Sequence, residues 1–183
     1  STVVVFAVAP AVKGMTLTWT AGQSCGSTSR LMVHESLYDE VVDGVTEAFS
    51  RLELGIPSDK QTEMGCLTTG PQYNKVKEYI EIGIAEGARM TTGGVPDESP
   101  HPDGYFVRPT VFSNVDPSMR IANEEIFGPV LSVIPWKSDD QALSIANAVD
   151  YGLTAGILSN DINQALRMSR EVQAGYVWIN NSS

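Results

Sequence analysis

The C-terminal third of the chain alternates apolar strand patterns with amphipathic helix patterns. The sequence predicts the elements in this order: strand Val130–Trp136, helix Asp139–Val149, strand Leu153–Leu158, helix Ile162–Val172 and strand Tyr176–Asn180. Strands that alternate with helices of this length are joined by right-handed crossovers. The sequence therefore predicts an α/β fold, with a parallel sheet that is covered by helices on both faces.

Polar residues indicate where the helices begin. Ser36, with Asp39 three residues later, resembles a capping box, and Ser138 and Asn160 are expected to cap the two crossover helices. After Ser36 an apolar residue recurs at every fourth position, which predicts an amphipathic helix. These positions are Leu37, Val41, Val45 and Phe49.

The other predicted elements of the first 112 residues are shorter. We expect strands at Thr2–Val8, Leu31–His34 and Ala88–Thr92. A second amphipathic helix is predicted from its apolar positions Val76, Ile80 and Ile84. Because Pro109 has no backbone N–H to donate, Tyr105–Phe112 is predicted to be an edge or irregular strand.

Length and charge limit the class of protein. A chain of 183 residues that is 42% hydrophobic is expected to form one domain over residues 1–183. The net charge of −10 makes nucleic acid an unfavourable partner. The apolar stretch Val3–Val12 is about half as long as the roughly 20 residues of a membrane-spanning helix, and it contains Pro10. We expect no membrane span and, by default, a cytoplasmic location.

The two cysteines and two histidines have no spacing typical of a metal site. Cys25 lies in a polar turn, and the small residues around it leave its sulfur accessible to a substrate. These small residues are Gly22, Ser24, Gly26 and Ser27. Cys25 is therefore a candidate nucleophile, and the alternative is a buried, inert thiol.

The same turn also matches the Gly-x-Ser-x-Gly pattern of hydrolases, with Ser24 as the nucleophile and His34 or His101 as its base. That motif requires a strand before the serine and a helix directly after it. Here Ser24 is followed by a polar turn and then a strand pattern, which disfavours a serine hydrolase.

Two carboxylates, Glu124 and Glu125, precede Phe127 and a Gly-Pro turn. A carboxylate at this position can accept hydrogen bonds from the hydroxyls of a bound sugar, while the aromatic ring packs on a ring of the ligand. Taken alone, these residues are more simply interpreted as solvated charges at a helix end.

Six motifs together resemble those of the aldehyde dehydrogenases, in the same order and at similar spacing. The motifs are Gly22-Gln23-Ser24-Cys25 with Ser29-Arg30, Met64-Gly65, Gly104-Tyr105-Phe106-Val107 with Pro109-Thr110, Glu124–Pro129, Tyr151-Gly152-Leu153, and Val177-Trp178-Ile179-Asn180. The resemblance covers the chain from about Ala11 to its C-terminus. The chain is similar to the catalytic domain of that family.

This resemblance implies a role for each matching residue. Cys25 would attack the aldehyde carbonyl, with its backbone N–H as one donor to the oxyanion, and the cofactor would be NAD or NADP. Glu125 would hold the nicotinamide ribose, Phe127 would pack beside the nicotinamide, and Gln72 and Lys75 would make further ribose contacts. The family also implies a homo-oligomer, or pairing with a cofactor-binding domain.

Some family features are absent from these residues. The Glu-Leu-Gly-Gly stretch with the general base, the asparagine of the oxyanion hole, the nucleotide-binding sheet and the bridging strands have no counterpart in the sequence. We therefore expect a catalytic domain that is incomplete at both ends and that is weakly active or inactive alone. The alternative is a noncatalytic interaction module that keeps the family's core.

Overall fold

The computed structural model describes residues 2–5 and 17–181. Its strands are β1 (Thr2–Val5), β2 (Arg30–His34), β3 (Arg89–Gly94), β4 (Arg108–Ser113), β5 (Val130–Trp136), β6 (Thr154–Leu158) and β7 (Tyr176–Ile179). Its α-helices are α1 (Tyr38–Ser50), α2 (Gly70–Ala85), α3 (Arg120–Asn123), α4 (Asp139–Asn147) and α5 (Ile162–Glu171). A 3-10 turn, Glu35–Leu37, precedes α1.

Within the described residues these strands form one sheet, in the order β3-β4-β5-β2-β1-β6-β7. Each neighbouring pair is parallel except β3 with β4, which is antiparallel. The predicted parallel α/β architecture is confirmed, with one antiparallel edge strand added. The predicted strand Thr2–Val8 is observed at Thr2–Val5, and its remainder lies outside the described residues.

Alternation of side chains along the central strands produces two cores. Leu31, Val33, Leu131 and Val133 face the side covered by α1 and pack with Val45. The alternate residues of the central strands face the other side of the sheet, which is covered by α2, α3, α4 and α5. These residues include Met32, Phe112 and Ile134. The sheet therefore has helices on both faces, as predicted.

Of the two alternatives predicted for the strand that contains Pro109, the edge strand is wrong and the irregular strand is confirmed. β4 pairs with β3 on one side and β5 on the other. The β3–β4 register shifts between the Thr92 and Gly94 pairs, and the pairing with β5 begins at Thr110. The missing N–H of Pro109 thus falls at an irregularity, where an interior strand tolerates proline.

Two cap predictions are also wrong. The His34 imidazole, through Nδ1, accepts the Ser36 N–H at 3.2 Å, so His34 caps the 3-10 turn before α1. Asp161, rather than Asn160, caps α5, since its Oδ1 accepts the Asn163 N–H at 2.8 Å. The Ser138 cap of α4 is confirmed.

The exposed side of α2 differs from the sequence prediction in one position. Val76 and Ile80 are buried as expected, but Ile84 is 51% exposed. Tyr79 and Gly83 are buried in the same helix, so its buried face is rotated away from Ile84. No helix in residues 17–181 has both the length and the apolar character required to cross a membrane.

Candidate active site

Three of the predicted site residues, Cys25, Glu125 and Phe127, lie at the amino ends of the parallel strands. Cys25 precedes β2, Phe127 precedes β5, the segment 151–153 precedes β6 and the segment 173–174 precedes β7. Because parallel strands begin at the same edge of a sheet, these four connections meet there. They line one pocket.

Cys25 is held on a turn with unusual backbone angles. Ala21 and Gly22 adopt φ of 51° and 73°, in the left-handed region. The turn is closed by the Gln23 N–H, which donates to the Thr20 carbonyl at 3.0 Å. Cys25 itself is exposed, so the alternative of a buried thiol is wrong.

The pocket brings together three of the five predicted site residues. Cys25, Glu125 and Phe127 all line it, from two different connections. Phe127 also has a left-handed backbone, with φ of 58°. Gln72 and Lys75 do not line the pocket.

Gln72 lies behind Phe127 and holds its backbone. Its Nε2 donates to the Ile126 carbonyl at 2.9 Å and to the Phe127 carbonyl at 2.8 Å. The Lys75 ammonium lies 5.8 Å from the centroid of the Tyr79 ring. Both side chains are thus engaged by the protein in this structure.

Arg30 is a pocket residue whose role the sequence did not reveal. Its side chain is buried and donates to the Ile145 carbonyl at 2.6 Å, in the last turn of α4. Burial lowers the pKa of Arg30 to about 10, so the guanidinium remains charged at neutral pH. It joins the start of β2 to the carbonyl end of α4.

Glu124 is fixed by an ion pair that sequence reasoning also missed. Arg120 donates to both of its carboxylate oxygens at 2.9 Å, and the Tyr79 hydroxyl donates to Oε2 at 2.6 Å. The hydrogen bond from Arg120, followed by that from Tyr79, lowers the pKa of Glu124 to about 2. Arg120 and Glu124 are four residues apart, which is the spacing of a helical ion pair.

The structure does not bring Ser24 together with a histidine base, as a serine hydrolase would require. His34 is at the carboxyl end of β2, opposite the cysteine turn, and its Nδ1 is 2.7 Å from the Ser36 hydroxyl. His101 lies in the exposed loop after β3, where Nδ1 accepts the Asp103 N–H. Neither histidine lines the pocket with Ser24. Among the described residues no cluster of metal-ligating side chains occurs.

Comparison with known proteins gives one consistent result. The model of the aldehyde dehydrogenase family matches residues 4–183, so the similarity begins before Ala11. Mouse (Mus musculus) retinal dehydrogenase 2 is 47% identical over 159 residues, which is 87% of this chain and 30% of that protein.

Solved structures agree with the sequence matches. Betaine aldehyde dehydrogenase from Staphylococcus aureus superposes with a TM-score of 0.92 at 35% identity, over 98% of this chain and 37% of that one. An NAD+ complex of an aldehyde dehydrogenase from Bacillus cereus gives 0.90 at 37% identity, over 99% and 37%. The chain spans about a third of the length of these relatives.

Proposed function

Since this chain belongs to the aldehyde dehydrogenase family, we propose that residues 1–183 are part of the catalytic domain of an enzyme that oxidises an aldehyde to a carboxylic acid. The observation that supports this most directly is the position of Cys25. Its exposed thiol shares one pocket with Glu125 and Phe127, although about 100 residues separate them in sequence.

Cys25 supplies the nucleophile in this proposal. Its thiolate sulfur attacks the aldehyde carbon, and the carbonyl oxygen becomes the oxyanion of a thiohemiacetal. The backbone N–H of Cys25 donates to that oxygen, where the negative charge develops. Loss of hydride from the same carbon leaves a thioester on Cys25, and hydrolysis by water releases the acid and restores the thiol.

The residues present fit the nicotinamide half of the cofactor. The exposed Glu125 carboxylate can accept hydrogen bonds from ribose hydroxyls, and the half-buried Phe127 ring lies in the same pocket. When bound there, NAD or NADP supplies the acceptor for the hydride. Gln72 and Lys75 contribute ribose contacts only if they leave their present partners.

The general base is not supplied by Glu124. A carboxylate with a pKa near 2 binds a proton too weakly to activate water at neutral pH. Thr2 pairs with Arg30 and Ala155, and both of these line the pocket. The start of β1 therefore lies at the edge of the pocket.

The proposal covers the reaction rather than one aldehyde. The similar proteins are named for retinal and for betaine aldehyde, which differ in charge and size. A homo-oligomer, or association with a cofactor-binding domain, belongs to the same proposal. Exposed apolar side chains support it, namely Tyr151, Leu153 and Tyr176, which are 50–63% exposed at the start of β6 and β7.

The experiment is to incubate the chain with aldehyde and NAD+ and follow the absorbance of the reduced cofactor. We expect at most slow turnover, which Cys25→Ala abolishes and the matched Cys66→Ala retains. Turnover at the rate of a complete enzyme would contradict the expectation that these residues alone are weakly active or inactive. Equal loss in both cysteine variants would contradict the role of Cys25.

A further inference from the structure

The start of α2 and the residue before its cap contact two of the turns that line the pocket, the Cys25 turn and the Phe127 turn. Thr68, just before the Thr69 cap of α2, donates its N–H to Gln23 Oε1 at 3.0 Å and its hydroxyl to the same oxygen at 2.9 Å. Gln23 adjoins Gly22 in the cysteine turn, and its Nε2 donates to the Thr20 carbonyl at 3.0 Å. The cysteine turn is thereby attached to the start of α2.

The Phe127 turn is attached to the same part of α2. Gln72, one turn after Thr68, donates through one amide nitrogen to two consecutive carbonyls, those of Ile126 and Phe127. Gly128 packs directly on α2 as well, because a Cβ at that position would overlap the Val76 side chain.

The two turns also contact each other. A Cβ on Gly22 would overlap the Gly128 carbonyl and would lie 2.8 Å from the Pro129 nitrogen. Both turns contain a residue with left-handed backbone, Ala21 in one and Phe127 in the other. Such conformations persist only where the surroundings hold them.

From these contacts we propose that Gln23 and Gln72 are paired positioning residues, which use the start of α2 to fix the Cys25 turn against the Phe127 turn. Neither acts on the substrate. In the hydrogen bonds between the start of α2 and the two turns, Gln23 is the acceptor for Thr68, whereas Gln72 is the donor to two carbonyls. The proposal rests on the proposed function only in assigning chemistry to Cys25.

The opposite hydrogen-bonding roles give a chemical test. Glutamate can accept hydrogen bonds but, when ionised, cannot donate them. Gln23→Glu retains the acceptor for Thr68 and loses only the donor to the Thr20 carbonyl within its own turn, so it should perturb the two turns less than Gln72→Glu does. Gln72→Glu places a carboxylate against two carbonyl oxygens and should release the Phe127 turn. A role in packing alone would give the same result at both positions.

The assay is the second-order rate at which p-nitrophenyl acetate acetylates Cys25 as its sulfur displaces p-nitrophenolate, with the site assigned by peptide mass. Gln23→Met and Gln72→Met should each slow the reaction about tenfold, because small displacements of reacting groups carry large rate penalties. Since Gln23 and Gln72 both secure the contact between the Cys25 turn and the Phe127 turn, the double variant should react no more than about twofold more slowly than either single variant. Gln61→Met, in the exposed loop before α2, is the matched control and should leave the rate unchanged.

Hydrogen exchange of the same variants provides an independent measurement. Gln72→Met should speed exchange in the peptides of both turns, residues 20–27 and 124–129, while the thermal midpoint of the chain changes by only a few degrees. A hundredfold loss in the double variant, which is the product of two independent effects, would overturn the proposal. Exchange that Gln72→Met speeds only in residues 124–129 would also overturn the proposal, because the two turns would then not be coupled.

Absence of acetylation at Cys25 in the parent chain would contradict the proposed function. The exchange measurements would then decide whether the two turns are coupled, because they do not depend on the reactivity of the thiol. The failure of one proposal is thus distinguishable from the failure of the other.

Discussion

Replacing Gly22 by alanine should destabilise the chain strongly, because two independent effects oppose the added methyl group. At φ of 73° an L-residue is strained, at a cost of about 1 kcal/mol. The Cβ would also overlap the Gly128 carbonyl, and relieving such crowding typically costs about 2 kcal/mol. We therefore expect the free energy of unfolding to fall by about 3 kcal/mol.

Urea unfolding followed by circular dichroism measures this change. Gly26→Ala is the matched control in the same turn. A Cβ there would have only the Ser24 hydroxyl oxygen within 4 Å, at 3.9 Å, so its unfolding free energy should change by less than about 0.5 kcal/mol. If Gly22→Ala unfolds at the same urea concentration as the control, the close contact between the two turns does not exist.

Three further predictions concern stability. Glu124→Gln should destabilise the chain at neutral pH. The folded pKa of Glu124, about 2, is below its ordinary value, so the stabilisation from its ionised carboxylate is present above about pH 4.5 and is lost as the pH falls toward 2. The free energies of unfolding of parent and variant, measured in urea, should therefore converge at low pH. A difference that stays constant with pH would contradict the ion pair. Gly44→Ala, at an exposed position in α1 with no atom near the added Cβ, should stabilise the chain by about 0.5–1 kcal/mol in the same assay, and a loss of stability would contradict the helix. Asp161→Ala should cost about 1 kcal/mol through the lost cap of α5, whereas Asn160→Ala should have little effect, and the reverse result would restore the sequence prediction.

The order of elements was predictable because strand and helix periodicities are local. The strands from Val130 onward begin and end within about one residue of their predicted limits. The irregularity at Pro109 was predictable from the proline itself, but the interior position of β4 was not, because it depends on pairing with β3, a strand about 15 residues earlier. The cap at Asp161 was missed by one residue, since Asn160 and Asp161 have similar capping preferences.

Three of the five predicted site residues line the pocket, but the hydrogen bonds that hold the site together were not predictable. Cys25, Glu125 and Phe127 matched a family pattern, and the pocket brings them together. The amide of Gln72 and the guanidinium of Arg30 bind backbone carbonyls 54 and 115 residues away. No periodicity or motif in the sequence specifies such a partner, because it depends on how the connections meet at the edge of the sheet.

The most direct measurement of the central claim is the distribution of acetyl groups between the two thiols. After limited treatment of the chain with p-nitrophenyl acetate, peptide mass analysis should find the acetyl group on Cys25 in large excess over Cys66, and prior addition of an aldehyde should slow that labelling. Equal labelling of both cysteines, or labelling that an aldehyde leaves unchanged, would contradict the assignment of Cys25 as the nucleophile.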